Sequence, residues 1–552
     1  MAAGLAAAWS AVVGASGCTV IFNDDDRQCD GNASCARFPG TYCSDSNICV
    51  PTEGYCTKNV ECLDRNPGKT VICRKDQNRC VELPVGACNG LIGDANDLKN
   101  DDTVILGFVD PIVDPKYTPI GLAQQNAVEL ALREVMKGPT SGLPPIRAGA
   151  ASRPLVYVKC DENPTSLAAT FNHLIDEVKV PAIIGPTFSG DVLTIANTKA
   201  LPTKTLLISV SASSPLLTTL PSRDPRLVWR TVPTDYLNAK VLATFIPNYI
   251  EPELKDSSSG TVKPAGAQMK IAVVHKGDAF GTGFERAVYQ QLTFNSKSAE
   301  ANAQAGNYVP VNYGDPNDPN NTNPAAKYAA AVRSVVDANP PPHLVVFLAT
   351  AEVNKNVFQQ IEAQWKRTDY RPKYIFATAA PKTKELTDII GANQDLRSRV
   401  IGTEAGTTSA LFSQFQTLYT GQNFTTGGPP TFYTAAAYDA AYMLTYAVAA
   451  VGSNPLTGES IARGFEKLVP SGVGVDVGDT SAIPSAFHEL AEGRNIDLNG
   501  ATGPLNFDVS TGDAETDIQV WCVSAGSGSF ASTGLFYNSN TKALSGSYSK
   551  CQ

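Results

Sequence analysis

The chain has 552 residues, of which 43% are hydrophobic and 18% charged, and it carries a net charge of −9 without any basic run. Such a chain buries an ample core and has room for several domains, and its acidic balance argues against nucleic acid or anionic lipid as a partner. Beyond the N-terminal residues no apolar stretch reaches bilayer-spanning length.

Residues 1–17, MAAGLAAAWSAVVGASG, are small and apolar and run into Cys18. This segment resembles a bacterial lipoprotein signal peptide, with Ala15-Ser16-Gly17-Cys18 as the processing box. The resemblance implies that Cys18 carries the lipid, the protein's only membrane contact, in the periplasm or at the cell surface. Thr19 is not the aspartate of an inner-membrane retention signal, which favours the outer membrane.

A Cys-rich tether spans 18–90. Nine of the chain's 13 cysteines lie between Cys29 and Cys88, spaced C-x5-C-x7-C-x5-C and then C-x5-C-x10-C-x6-C, with Cys88 left over. Such density among Gly, Asn, Asp and Pro cannot build an apolar core and needs covalent staples. The region has no C-x2-C knuckle and no histidine, so disulfides are expected rather than zinc. Disulfides also place the chain outside the cytoplasm. Eight cysteines close within two modules, leaving Cys88, Cys160, Cys522 and Cys551. Spacing does not fix connectivity; the pairing expected from this count is Cys88 with Cys160 and Cys522 with Cys551.

Residues 91–102 read as a polar linker. From Thr103 short apolar strands alternate with helices: a strand over Thr103–Val109, a helix from Thr118-Pro119, a strand over Leu155–Lys159, and a helix carrying Leu167, Phe171, Leu174 and Val178 on one face. Ala182–Ile184 and Leu206–Ile208 are too short for helices and read as buried parallel strands, with Asp191–Lys199 helical between them. Further strands are expected at Met269–His275, Leu344–Leu348, Tyr374–Thr378, Val400–Gly402 and Ile518–Val523, and a long helix at Thr431–Val451. Strand–helix alternation on this scale implies α/β architecture in two doubly wound lobes.

The two central strands each run into a serine-rich loop, GPTFSG and SVSASSP. In open α/β sheets ligands bind beyond the carboxyl ends of the strands, and short hydroxyls there can donate to a small polar or anionic group. Paired acids such as Asp161-Glu162 read as solvated turns. The four histidines are scattered, and no H-E-x-x-H, G-x-S-x-G or P-loop occurs. Neither an enzyme, nor a metal, nor a cofactor is indicated.

From Thr103 to Val523 the chain resembles the type I periplasmic solute-binding proteins, nearest the branched-chain amino-acid-binding kind, through ILGFVDPI, IIGPTFSGDV, LISVSASSPLLT, VWRTVPTD, KIAVVHKGDAFGTGFE, HLVVFLATAE, AAAYDAAYML and ATGPLNFDVSTGD in that order. The resemblance implies a first lobe of 103–235 with 404–503 and a second of 236–403 with 504–552. Three crossovers, near Thr231–Asp235, Ile401–Glu404 and Gly503–Asn506, would join them into a hinged trap. It further implies a monomer that delivers a small polar solute to an ABC-type transporter permease or a sensor. The family's carboxylate site falls on Ser189 and Ser213, with Ser211 alongside. Phe280 stands where a tyrosine is usual, Thr350 where another aromatic is usual, and Ala380 where the amino-acid binders carry a glutamate against the ligand ammonium. Glu404, Glu352 and Asp161 are candidate replacements for that acid. Tyr438 and Asp439 are read as structural. The alternative is an envelope interaction protein that uses the fold as a scaffold and the Cys-rich modules as contacts.

Overall fold

The computed structural model describes residues 28–551 apart from 53, 148, 222–223, 407–408 and 526–527; Cys18 and the signal-like segment lie outside the described residues. The first sheet takes β1 (Cys88–Ile92), β2 (Val104–Asp110), β3 (Leu155–Asp161), β4 (Ala182–Ile184), β5 (Leu206–Ser209) and β6 (Val228–Arg230) in the order β6-β5-β4-β2-β3-β1. All neighbours are parallel except β1 on β3. Helix α1 (Thr118–Lys137) follows β2, and α2 (Ser189–Ile195) follows β4. Both β4 and β5 are wholly buried, which is why three or four consecutive apolar residues suffice to define them.

After β6 the chain crosses at 231–234 into α3 (Asp235–Phe245) and then builds the second sheet. Its strands are β7 (Ile271–His275), β8 (Tyr308–Asn312), β9 (Leu344–Leu348), β10 (Lys373–Phe376), β11 (Val400–Ala405), β12 (Ile518–Val523), β13 (Phe530–Asn538) and β14 (Ala543–Gly546). Their order is β8-β7-β9-β10-β11-β12-β13-β14, parallel as far as β11 and antiparallel beyond it. Alternate residues of β7 feed two clusters, Ile271 and Val273 on one face and Ala272 and Val274 on the other, so both faces are covered. Helix α4 (Ala279–Gln291) follows β7, and α5 (Phe432–Val451) lies buried in the first lobe.

Three differences from the sequence-based expectation have physical causes. Leu91 and Ile92, expected in a linker, belong to β1. Its pairing sets Cys88 opposite Cys160, and the two are disulfide-bonded. The third crossover lies between Ala514 and Ile518, not at 503–506. Residues 503–514 stay with the first lobe because Gly503–Pro504 pairs with the strand Ile496–Gly500, Phe507 packs edge-on to Trp229 at 5.5 Å, and Asp513 pairs with Arg230 at 2.6 Å. Strand β8 forms where no strand was expected, and its Pro310 is tolerated because the strand sits at the sheet edge.

The remaining disulfides among the described residues are Cys29–Cys43, Cys35–Cys49, Cys56–Cys73, Cys62–Cys80 and Cys522–Cys551. The second Cys-rich module is fused to the first lobe. Ile72, Val81 and Leu83 join its core, and Arg74 donates to the carbonyls of Asp176 and Glu177.

Candidate functional site

Each sheet reverses its strand order once, beside β2 and β4 in the first and beside β7 and β9 in the second. Loops beyond the carboxyl ends at such switch points are where open α/β sheets hold ligands. Here the two sets of loops enclose a cavity of about 120 Å³, against roughly 10–15 Å³ needed by a single water. From the first lobe come Tyr117, Ile120, Phe188, Ser189, Ser211 and Ser213, and from the second Lys276, Asp278, Phe280, Thr350 and Ala380, with Tyr433 of α5 closing one side.

The loop after β4 is held in place from several directions. Gly185 has φ +107°, and a Cβ there would stand 2.1 Å from the Val109 carbonyl, so only glycine lets the loop cross β2. Ser209 Oγ donates to the Pro186 carbonyl at 2.7 Å and accepts from Ala212 N at 3.1 Å, tying the two serine-rich loops together. Glu162 accepts from the backbone N–H groups of Thr187 (2.7 Å) and Phe188 (3.1 Å). Asp161 accepts from those of Ile112 (2.9 Å) and Val113 (3.0 Å). These two acids, read from sequence as solvated turn residues, are buried clamps on the loops that line the cavity. Burial raises the Glu162 pKa well above the usual range, and the charges of Asp191 and Asp110 add to it.

The serine and threonine hydroxyls each have a defined partner. Ser189 Oγ accepts from Ser214 N at 3.3 Å, which leaves its proton for a ligand. Ser213 Oγ donates to Asp235 Oδ2 at 2.7 Å. Ser211 Oγ lies 2.7 Å from the Gln124 side-chain amide. Thr350 Oγ1 donates to Glu352 Oε1 at 2.6 Å, and Tyr313 OH donates to the same oxygen at 2.9 Å. Lys276, 1% exposed, is held by Asp278 (2.8 Å) and Asp315 (3.4 Å), and its ammonium stands 5.7 Å from the Phe188 ring centroid. Burial opposes its charge, but Asp278, Glu352 and Asp315 outweigh that and raise its pKa. Both oxygens of Asp278 are engaged, one by Lys276 and one by Gly281 N at 2.8 Å. Ala380 contributes only a methyl group to the wall.

The structure thus brings Ser189, Ser211, Ser213, Phe280 and Thr350 to one cavity. Glu404 is not among them. It lines a neighbouring space of about 20 Å³ with Asp235 and Asn238, and it is paired with Lys382. Lys276, Tyr117, Phe188 and Tyr433 were not anticipated. A lysine one residue past a strand reads as a surface residue, and only its pairing with Asp278, two residues on, hints otherwise. The lobes also touch directly. Ser214 Oγ donates to the Ala279 carbonyl at 2.7 Å, and Tyr117 OH to Asn317 Oδ1 at 3.0 Å.

Residues 104–526, well over half of the chain, match the family described as Periplasmic binding protein. Among solved structures, a leucine-binding protein from Thermotoga maritima is 17% identical, covering 80% of this chain and 100% of its own with a TM-score of 0.56. The branched-chain amino-acid transporter substrate-binding protein LivJ of Streptococcus pneumoniae, in complex with isoleucine, is 14% identical over 78% of this chain and 98% of its own, with a TM-score of 0.53. A solute-binding protein of an ABC transporter from Rhodopseudomonas palustris, in complex with 3,4-dihydroxy benzoic acid, is 15% identical over 82% of this chain and 98% of its own, with a TM-score of 0.53. A search of curated proteins finds no match. The chain belongs to the periplasmic binding protein family.

Proposed function

We propose that this protein captures a small carboxylate without an ammonium group between its lobes and hands it to an ABC-type transporter permease or a sensor, without chemical conversion. In this reading Ser189, Ser211 and Ser213 receive the carboxylate, Phe188, Phe280, Tyr117 and Tyr433 wall the apolar body, and Cys18 anchors the chain by lipid. The observation that carries it is the charge inventory of the cavity. It holds seven hydroxyl side chains, the three serines among them, an exposed Lys116 and a buried Lys276; its one carboxylate, Asp278, has both oxygens engaged, and Ala380 offers no counter-ion. A ligand ammonium placed there would be a buried, unpaired cation, at a cost of several kcal/mol. A carboxylate meets donors instead. Closure is favourable because such a ligand touches both lobes and so binds the closed form better.

Native mass spectrometry of the purified protein, followed by thermal-shift assays with small carboxylates, tests this reading. A carboxylate above its dissociation constant must raise the melting temperature, and Ser189→Ala should weaken its binding by about 0.5–1.5 kcal/mol, the worth of one hydrogen bond. An unchanged affinity in Ser189→Ala would remove the site.

A further inference from the structure

Two of the three serines at the cavity wall are backed by buried carboxyls. Behind Ser213 stands Asp235, 1% exposed, its Oδ2 2.7 Å from the hydroxyl and its Oδ1 3.2 Å from Asn238 Nδ2. Behind Ser211 stands the Gln124 amide, wholly buried, 2.7 Å from the hydroxyl on one side and 2.6 and 3.1 Å from the two oxygens of Asp110 on the other. Asp110 is itself 1% exposed and takes the Thr187 hydroxyl.

A hydroxyl has one proton. When Asp235 is ionised, Ser213 must donate to it, and only the lone pairs of Ser213 face the cavity, where they repel an anion. When Asp235 is protonated, its O–H donates to Ser213 Oγ, and the Ser213 proton turns outward. The Gln124 relay works the same way. An ionised Asp110 draws the NH2 group toward itself, so that Oε1 takes the Ser211 proton. A protonated Asp110 donates to Gln124 Oε1, the NH2 group turns to Ser211 Oγ, and the Ser211 proton is released to the cavity.

We propose that Asp235 and Asp110 are positioning residues that set the hydrogen-bond polarity of Ser213 and Ser211, so that the cleft holds a carboxylate when both buried carboxyls are protonated and, where they are ionised in the free protein, capturing the anion takes up protons from solvent. The inference rests on the carboxylate reading of the cleft.

The surroundings favour protonated carboxyls at neutral pH. Asp235 faces Asp278 from the second lobe, which opposes its charge, while Arg230, Ser213 and Asn238 support it; Tyr433 and Glu404 lie across the small neighbouring space. Arg230 is already committed to Asp513 at 2.6 Å and to the Ser214 carbonyl at 2.7 Å. Asp110 faces Asp161 and Glu162, with only the neutral Thr187 and Gln124 in support. Burial pushes Asp235 up to about 7 and Asp110 up to about 8.

The test is calorimetric titration of the full chain with isocaproate, an anion throughout the range used, at about pH 6 and about pH 9, in wild type, Asp235→Asn and Asp110→Asn. Asparagine keeps the shape and always donates. Wild type should lose roughly tenfold in affinity per pH unit above the carboxyl midpoints for each proton taken up. Each single variant should lose one proton's share of that slope and, at about pH 9, bind more tightly than wild type by roughly tenfold or more. A pH-independent wild type, or variants weaker than wild type at both pH values, overturns the inference. Infrared difference spectra decide the matter without a ligand. The carbonyl stretch of protonated carboxyls, present in wild type at about pH 6 and diminished in each variant, supports it, and its absence from wild type overturns it. If isocaproate binds to no variant at either pH, the carboxylate reading fails, and the infrared result still decides whether the two carboxyls hold protons.

Discussion

At the scale of single residues, the cavity is defined by what faces inward and what that group is already bonded to. Ser189 and Ser213 were legible as hydroxyls at the ends of two apolar runs, because a short buried strand followed by small polar residues has few other uses in an α/β chain. Their partners were not legible. Asp235 reads as an ordinary acid at a helix start, and nothing in VPTD says that its carboxyl lies under Ser213, 22 residues earlier. Lys276 escaped for the same reason, since its burial depends on Asp315, which arrives from a loop 39 positions later. Ala380 leads to a direct prediction. Ala380→Glu puts a carboxylate into the wall, and leucine, with its ammonium now paired, should gain about 1.5–3 kcal/mol of binding, the range for hydrogen bonds to charged groups. Calorimetry with leucine on wild type and variant measures this, and equal affinities would show that position 380 does not face the ligand.

Elements carry the closure. Helix α4 begins three residues after Lys276, and its Gly283 lies against the first lobe, where an added Cβ would stand 2.8 Å from Ser214 Oγ and 3.4 Å from Pro215 Cδ. Gly283→Ala therefore drives a wedge between α4 and the Ser214 loop, close to the hydrogen bond from Ser214 Oγ to the Ala279 carbonyl. The variant should populate a more open form, read as a larger radius of gyration in solution scattering and as weaker ligand binding, with little change in melting temperature without ligand. An unchanged radius and affinity would mean that this contact does not limit closure. The glycine was visible in GDAFGTG, but its role depends on packing between segments about 70 residues apart. The strands of the two main sheets that the sequence did not announce, β1, β6, β8 and the hairpin of β13 and β14, lie at or near a sheet edge, where apolar runs are short or diluted, as by Pro310, Ser532 and Gly534.

For the whole molecule, the order of apolar strands and helices was enough to indicate two α/β lobes, because burial on both faces writes itself into continuous apolar runs. The point of the third crossover was not readable, since Arg230–Asp513 and Trp229–Phe507 join residues nearly 300 positions apart. The buried acids also give the molecule a pH signature. Burial holds Asp439 at about 6, even with N–H donors from Ala501 and Thr502, alongside Asp235 at about 7 and Asp110 at about 8. An unfolded aspartate titrates near about 3.9. The stability these three contribute is thus complete below about pH 4 and is lost as pH rises through their folded midpoints, at most about 1.4 kcal/mol per unit for each. Glu362 and Glu253 are held below the usual range despite burial, Glu362 by hydrogen bonds from Arg399 and Tyr374 and Glu253 by Lys373 and Lys550. Their contribution fades only in acid. The melting temperature should accordingly be higher near about pH 5 than near about pH 9, and Asp439→Asn should flatten the difference; a melting temperature that rises steadily to about pH 9 would contradict the assignment. The central claim, that the cleft takes a carboxylate and has no place for an ammonium, is tested most directly by titrating wild type with isocaproate and with leucine, which differ only by that group. Isocaproate should bind at least about tenfold more tightly, since an unpaired buried charge costs more than the 1.4 kcal/mol that a factor of ten represents; tighter binding of leucine would contradict the carboxylate reading.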